Sequence, residues 1–241
     1  MAVRARKSND RKTTNNKRKV KQPSESPSST TVKEAPLLEA RTEAQARYIQ
    51  SIENNILTFG VGPAGVGKTH IGAVMAVNML LSGAVEKIII TRPIQEAGER
   101  LGALPGDIGE KTDPFMAPML IALAKQVGRS GVEALIQAKK IETLPLAYMR
   151  GYTLENCFAI LDEAQNTTKR QMMMFLTRIG ENCRIVVDGD ASQIDIQEKS
   201  GLEDAIMRMY NDPEVGVVRF THLDVVRSGL VQRVVENYSR D

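Results

Sequence analysis

Gly62-Pro63-Ala64-Gly65-Val66-Gly67-Lys68-Thr69 follows directly on the apolar run Ile56-Leu57-Thr58-Phe59-Gly60-Val61, and this junction decides the fold. The run reads as a buried strand. The glycines permit a tight turn with backbone amides pointing inward, and Ala73, Val74 and Ala76 open a helix behind it. Strand, loop and helix in that order make a cradle for a triphosphate, with residues Gly62 to His70 as its lining. Lys68 is placed to reach the β- and γ-phosphates, and the Thr69 hydroxyl is a ligand for Mg²⁺.

Outward from this junction, short apolar runs alternate with stretches of helical period. The runs Ile56–Val61, Lys87–Thr91, Cys157–Leu161, Arg184–Val187 and Val215–Phe220 predict buried parallel strands. Helices are expected at Thr69–Leu81, Pro114–Gln126, Gly131–Lys139, Thr168–Ile179, Gly201–Tyr210 and Leu230–Tyr238, and a short amphipathic one begins at Arg41. This βα repetition implies a three-layer α/β fold with a mainly parallel sheet and right-handed crossovers, so ligands belong at the carboxyl ends of the strands. The phosphate loop, Asp162 and Asp190 all fall at such ends. Residues 92–141 contain no predicted strand, and their opening, from Gln95 to Asp107, is dense in glycine and charge, as a functional loop would be.

Two further strand ends carry chemistry. Phe158-Ala159-Ile160-Leu161 delivers Asp162 and Glu163 side by side. Asp162 is placed to hold Mg²⁺ directly or through water, which leaves Glu163 to orient and deprotonate the attacking water. Val186-Val187-Asp188-Gly189-Asp190-Ala191-Ser192-Gln193 is again a strand and a polar turn, and Gln193 offers a neutral donor and acceptor suited to sensing the γ-phosphate. Together the three motifs favour a motor-type ATPase over a small-molecule kinase, which would not need Glu163, or a G protein, whose Asn-Lys-x-Asp is not in the chain. Upstream, Gln45 carries an amide able to pair with the N6 and N7 edge of adenine, although its own context favours a solvated helix residue.

Composition adds a partner class. The formal net charge of +3 is uneven, because Met1 to Glu34 holds ten Lys or Arg against three Asp or Glu, giving +7 there and −4 in the remainder. Rich in Lys, Arg, Ser, Thr, Asn and Pro, residues 1–35 are expected to be a disordered basic tail, ahead of one domain over residues 36–241. A basic arm from Arg4 to Lys21 suits a polyanion such as nucleic acid, and suits a solubilising tail equally well. No run of eighteen apolar residues and no secretory core stand in the sequence, so a soluble cytoplasmic protein is expected. Cys157 and Cys183 read as buried reduced thiols, and His70 and His222 suggest no metal site. The run Met172-Met173-Met174-Phe175 is assigned to packing.

Several longer blocks occur in a specific order. After Gly62–Thr69 come Thr91-Arg92-Pro93 with Glu96-Ala97-Gly98-Glu99 and Leu104-Pro105-Gly106-Asp107, then Pro145-Leu146-Ala147-Tyr148-Met149-Arg150-Gly151. Asp162-Glu163-Ala164-Gln165-Asn166-Thr167-Thr168, Phe175-Leu176-Thr177-Arg178-Ile179-Gly180 and Asp224-Val225-Val226-Arg227 follow. In this the chain closely resembles the PhoH family of ATPases, from about Glu39 to its end. The resemblance implies a RecA-like core akin to superfamily 1 helicases, Mg²⁺-dependent ATP hydrolysis and a role on RNA. Carried over residue by residue, it implies Gln45 on adenine, Lys68 and Thr69 on phosphate and metal, Asp162 and Glu163 on metal and water, and Gln193 as the γ-phosphate sensor. Arg227 is implied as a finger residue that neutralises transition-state charge, with a surface ion pair to Asp224 as its plain alternative. Tyr152 departs from the arginine expected after Arg150-Gly151, which puts an anion contact at that position in doubt. The RNA-binding or nuclease domains that some members append are not in this sequence, which leaves the basic tail as the expected accessory nucleic-acid element.

These readings converge on an ATP-hydrolysing enzyme with single-stranded nucleic acid as partner, RNA favoured. One lobe where a helicase closes two suggests a homo-oligomer, with a hexameric ring completing each site between subunits and residues 95–111 facing its centre. The rival is a nucleotide-dependent switch or chaperone-like ATPase acting on a protein, which the 4% aromatic content favours by leaving few stacking platforms. Arg92 and Arg178 are further candidates for phosphate or subunit contacts.

Overall fold

The computed structural model describes Met1, residues 38–94 and residues 108–226, with side chains from residue 115 onward in the last stretch. The basic tail, the glycine-rich opening after β2, Arg227 and the expected helix at Leu230–Tyr238 lie outside the described residues. In chain order the elements are α1 (Glu43–Asn54), β1 (Leu57–Val61), α2 (Lys68–Leu81), β2 (Lys87–Arg92), α3 (Ile108–Val127) and α4 (Arg129–Gln137). They continue with β3 (Ile141–Pro145), β4 (Cys157–Leu161), α5 (Lys169–Leu176), β5 (Arg184–Gly189), α6 (Gly201–Met209) and β6 (Val215–Arg219).

The six strands form one sheet in the order β3-β2-β4-β5-β1-β6, every pair parallel. All carboxyl ends therefore point the same way, and β1, β4 and β5 deliver the phosphate loop, Asp162–Glu163 and Asp190 to one edge. Both faces of the sheet are covered, which is why its central strands read as unbroken apolar runs. Ile88, Ile90, Phe158, Ile160 and Val186 pack with α1, α2 and α3. Their alternates Ile89, Ala159, Leu161, Ile185 and Val187 pack with Met172 and Phe175 of α5 and Leu202, Ala205 and Ile206 of α6.

One strand escapes the pattern. Ile141-Glu142-Thr143-Leu144-Pro145 has a buried residue only at each end and pairs only with β2, so it lacks the apolar run of a central strand. Pro145, which has no N–H to donate, is compatible with that edge position. Helix ends follow ordinary capping chemistry: Thr42 Oγ1 accepts from Gln45 N, Thr168 and Gln171 form a reciprocal capping box, and Ser200 Oγ accepts from Leu202 N.

Cys157 and Cys183 are free and buried, as expected. The methionine run divides: Met172 is buried, whereas Met173 is 65% exposed and lines an apolar groove between α5 and α6, so the packing assignment fails for Met173. Among the described residues no helix is long and apolar enough to cross a membrane.

Candidate nucleotide site

β1 ends inside the core, and the loop that follows must turn sharply to reach α2. Gly62, Gly65 and Gly67 take φ values of 154°, 90° and 94°, which glycine adopts without the steric cost of a Cβ. At Gly62 a side chain is also blocked, because a Cβ would lie 2.6 Å from Phe220 Cβ and 2.7 Å from Phe220 O. The loop is tied on both sides: Gly62 N donates to Gly189 O at 3.0 Å and Val226 N donates to Gly65 O at 3.1 Å. Lys68 Nζ folds over it, donating to Gly62 O at 2.6 Å and Pro63 O at 3.1 Å.

Ala64, Gly65, Gly67, Lys68, Thr69 and His70 line one wall of a cavity of about 310 Å³, and Asp162, Glu163, Gly189, Asp190 and Gln193 line the other. The fold thus brings together the loop, the acidic pair and the proposed sensor. Burial raises the Asp162 carboxyl above its ordinary range, Glu163 beside it adds to the rise, and Arg92 and Lys68 oppose it. A cation would relieve that burial and repulsion. Among the described residues no group of three or more His, Cys, Asp or Glu side chains is arranged to hold a metal ion by itself. One carboxylate and one hydroxyl fit a magnesium ion that takes its remaining ligands from phosphate and water. The donor chemistry therefore fits Mg²⁺, and Thr69 and Asp162 are the residues that would hold it.

Glu163 enters this cavity from a left-handed backbone, φ 53° and ψ 37°. Its Oε1 is 2.9 Å from an Nη of Arg92, and its Oε2 accepts a 2.5 Å hydrogen bond from Gln165 Nε2. Gln165 is 1% exposed and spends the rest of its amide on the third motif: Nε2 also donates to Gln193 O at 3.3 Å, and Oε1 accepts from Asp190 N at 3.0 Å. Asp190 in turn accepts from Ser192 N, Ser192 Oγ and Gln193 Nε2, so the proposed sensor side chain rests on a carboxylate 2.7 Å away. Sequence reasoning did not single out Gln165. Its position within the DEAQ block was the available signal, because a buried amide beside two carboxylates needs partners for both ends.

A second cavity of about 620 Å³ shares Gly65, Gly67 and His70 with the first and extends between α1 and α3. Arg41, Gln45, Lys125 and Gln126 are among its other lining residues, and its place beside the loop suits a nucleoside. Gln45 is buried, with Nε2 donating to Val66 O at 2.9 Å and Oε1 accepting from Arg41 N at 2.8 Å, so it buttresses the phosphate loop. Gln126 Oε1 is buried without a partner, which makes Gln126 the residue sequence reasoning missed in this cavity. Burial, Lys125 and Arg41 lower the His70 pKa, so this imidazole is neutral near pH 7.

Two candidates fall elsewhere. Arg178 O accepts from Leu154 N ahead of β4, which places Arg178 at the amino edge of the sheet, away from the nucleotide side. Tyr152 is at that edge too: Lys87 Nζ donates to Tyr152 Oη at 2.8 Å and to Glu142 Oε1 at 3.1 Å, and Tyr152 Oη donates to Glu142 Oε2 at 2.7 Å. The tyrosine closes a local triad, so its departure from arginine falls at the opposite end of the strands from the phosphate loop.

An all-parallel sheet between two helical layers, with a glycine-rich phosphate loop after β1 and an acidic pair after β4, two strands away across β5, defines a P-loop nucleotide-binding protein with a RecA-like core. Val226, returning to the loop at Gly65, closes the same unit. The chain belongs to the PhoH family, whose profile, described as PhoH-like protein, matches residues 37–239. It is 45% identical over 205 residues to the PhoH-like protein of Bacillus subtilis (strain 168), covering 84% of this chain and 64% of that one. To Protein PhoH of Escherichia coli (strain K12) it is 47% identical over 209 residues, covering 85% and 59%. The chain thus spans about six-tenths of the length of these relatives. Among solved structures, the Sulfolobus solfataricus SWI2/SNF2 ATPase core in complex with dsDNA aligns with a TM-score of 0.44 at 13% identity, over 76% of this chain and 45% of that one.

Proposed function

We propose that the chain is a Mg²⁺-dependent ATPase whose hydrolysis is coupled to single-stranded nucleic acid, with RNA the favoured polymer. The observation that carries this reading is the convergence of Lys68, Thr69, Asp162 and Glu163 on one cavity. In it Lys68 leaves the loop carbonyls for the β- and γ-phosphates, and Thr69 and Asp162 hold the cation, which supplies charge neutralisation on the phosphate oxygens. Glu163 takes the proton of the attacking water, and Gln193 reads the γ-phosphate from the turn that Asp190 and Gln165 brace. Gln45 fixes the loop at the base side, and Arg227, one residue beyond the loop-bound Val226, serves as the finger. A homo-oligomeric ring, with Arg227 acting on a neighbour's nucleotide, would supply a second wall to the site.

The coupling is tested by steady-state ATP hydrolysis with and without single-stranded RNA and DNA across a salt series, on the full chain and on one lacking residues 1–35. Stimulation that fades with salt is expected, and its loss on truncation assigns the contact to the basic tail. The second reading, a switch acting on a protein partner, is favoured by the apolar groove of about 620 Å³ that Met172, Met173, Leu176 and Met209 line on the opposite helical layer. Hydrolysis indifferent to both polymers would select it.

A further inference from the structure

Both oxygens of the Glu163 carboxylate are engaged by the protein. Oε1 pairs with Arg92, the last residue of β2, at 2.9 Å, and Oε2 accepts from Gln165 at 2.5 Å. A general base has to turn a free lone pair on the water it activates. Each oxygen keeps a second lone pair, but the two donors fix the direction in which the carboxylate presents it. The backbone of Glu163 is left-handed, a conformation that a non-glycine residue keeps only when its surroundings impose it.

The two holders are not alike. Gln165 is enclosed and tied by two further bonds to Asp190 N and Gln193 O, so it cannot leave without dismantling the neighbouring turn. Arg92 has a side chain 24% exposed, and among the described residues its other hydrogen bond is Nη1 donating to Phe115 O at 3.0 Å on α3. The guanidinium is therefore the holder that can move. It sits at the carboxyl end of its strand, on the ligand side of the sheet, and a planar fork of donors matches the paired oxygens of a phosphodiester as well as those of a carboxylate.

We propose that Arg92 is a restraint on Glu163, released when the guanidinium exchanges the carboxylate for a phosphate oxygen of bound nucleic acid. This rests on the ATPase reading above and supplies its coupling. In the resting protein the pair to Arg92 fixes the direction of the Glu163 carboxylate, and polymer binding frees it to turn to the water. Arg92 is a positioning residue that acts through Glu163.

The test is ATP turnover by the full chain, with and without poly(U), for the wild type, Arg92→Gln, Glu163→Gln and the double variant. Arg92→Gln is expected to raise kcat without polymer by about threefold or more, with KM within about twofold, and to respond little to poly(U). In the double variant the gain should vanish, and the kcat gain at near-constant KM is the readout that a mere packing role for Arg92 would not produce. Arg92→Lys, whose single ammonium keeps the charge but cannot hold Phe115 O and Glu163 with a planar fork, should fall between and guards against misfolding of the glutamine variant. Turnover by the wild type with Arg92→Gln equal or slower overturns this inference alone. A faster Arg92→Gln beside a wild type indifferent to poly(U) overturns nucleic acid as the release. No turnover by any variant overturns the ATPase reading and this one with it.

Discussion

The Tyr48 hydroxyl donates a 2.5 Å hydrogen bond to Asp188 Oδ1, tying α1 to β5 across Gly60 of β1. A Cβ on Gly60 would overlap Asp188 Oδ1 and come within 2.8 Å of the Tyr48 ring, so the pair forms only because β1 has no side chain there. Phe220 meets the same ring edge-on, with centroids 5.4 Å apart and planes at 78°. Both partners are enclosed, and Asp188 Oδ2 is buried without a partner.

Burial pushes the Asp188 carboxyl from 3.8 up to about 7, against the Tyr48 hydrogen bond and Lys68, with Asp162 and Glu163 adding to the rise. Between those values the folded protein keeps a proton that the unfolded chain has lost, so stability is full below about pH 4 and declines as pH rises through about 7. Denaturant unfolding is expected to give a protein less stable at pH 8 than at pH 5 by more than about 1 kcal/mol, and Asp188→Asn should flatten that slope. Tyr48→Phe removes the donor that favours the carboxylate, so its cost, about 1 to 3 kcal/mol, should be larger at pH 8 than at pH 5. A slope unchanged by Asp188→Asn would remove Asp188 as its source.

Tyr48 and Asp188 are 140 positions apart, and neither belongs to a local period that marks it as more than core. The phosphate loop and the acidic pair were legible because each is a strand end followed by a fixed turn chemistry, written in consecutive residues. β3 was not, since an edge strand need not be apolar throughout: Glu142 is committed to Lys87 and Tyr152 instead of the core. Gln165 stood inside a recognised block, but its role comes from a β5 turn that no spacing in the chain connects to it.

Lys68 and Glu163 should separate binding from chemistry. Lys68→Ala removes the charge that meets phosphate together with two bonds that close the loop on Gly62 O and Pro63 O, so both ATP affinity and turnover should collapse. Glu163→Gln keeps the shape and can still accept from Arg92 through its carbonyl, so ATP binding should persist while turnover falls by about a hundredfold or more. Equilibrium nucleotide binding measured beside hydrolysis checks both; turnover retained by Glu163→Gln would take the base role from that residue.

The Lys87, Glu142 and Tyr152 triad stands at the amino edge of the sheet, so it should be silent in catalysis. Tyr152→Phe breaks one hydrogen bond in each direction and is expected to cost about 1 kcal/mol of stability, with hydrolysis unchanged. Lost turnover in a protein that still melts near the wild-type temperature would mean the edge communicates with the site.

Gln126 should separate stability from recognition. Its Oε1 is buried with no donor in reach, on the wall of the cavity beside the phosphate loop. An unpaired buried acceptor is a net cost to the folded protein, and an apolar group of similar shape removes that cost. Gln126→Leu is therefore expected to unfold at higher denaturant than the wild type. The exocyclic amine of adenine is a donor of the kind this oxygen lacks, whereas guanine presents an acceptor at the same ring position. If the base enters this cavity, the variant should bind ATP about fivefold or more weakly and GTP about as before, narrowing the preference between them. Competition between the two nucleotides for the wild type and Gln126→Leu reads the ratio directly. An unchanged ratio in the stabilised variant would place the base outside the reach of Gln126 and return adenine selection to Gln45, whose amide would then have to give up Val66 O or Arg41 N to perform it.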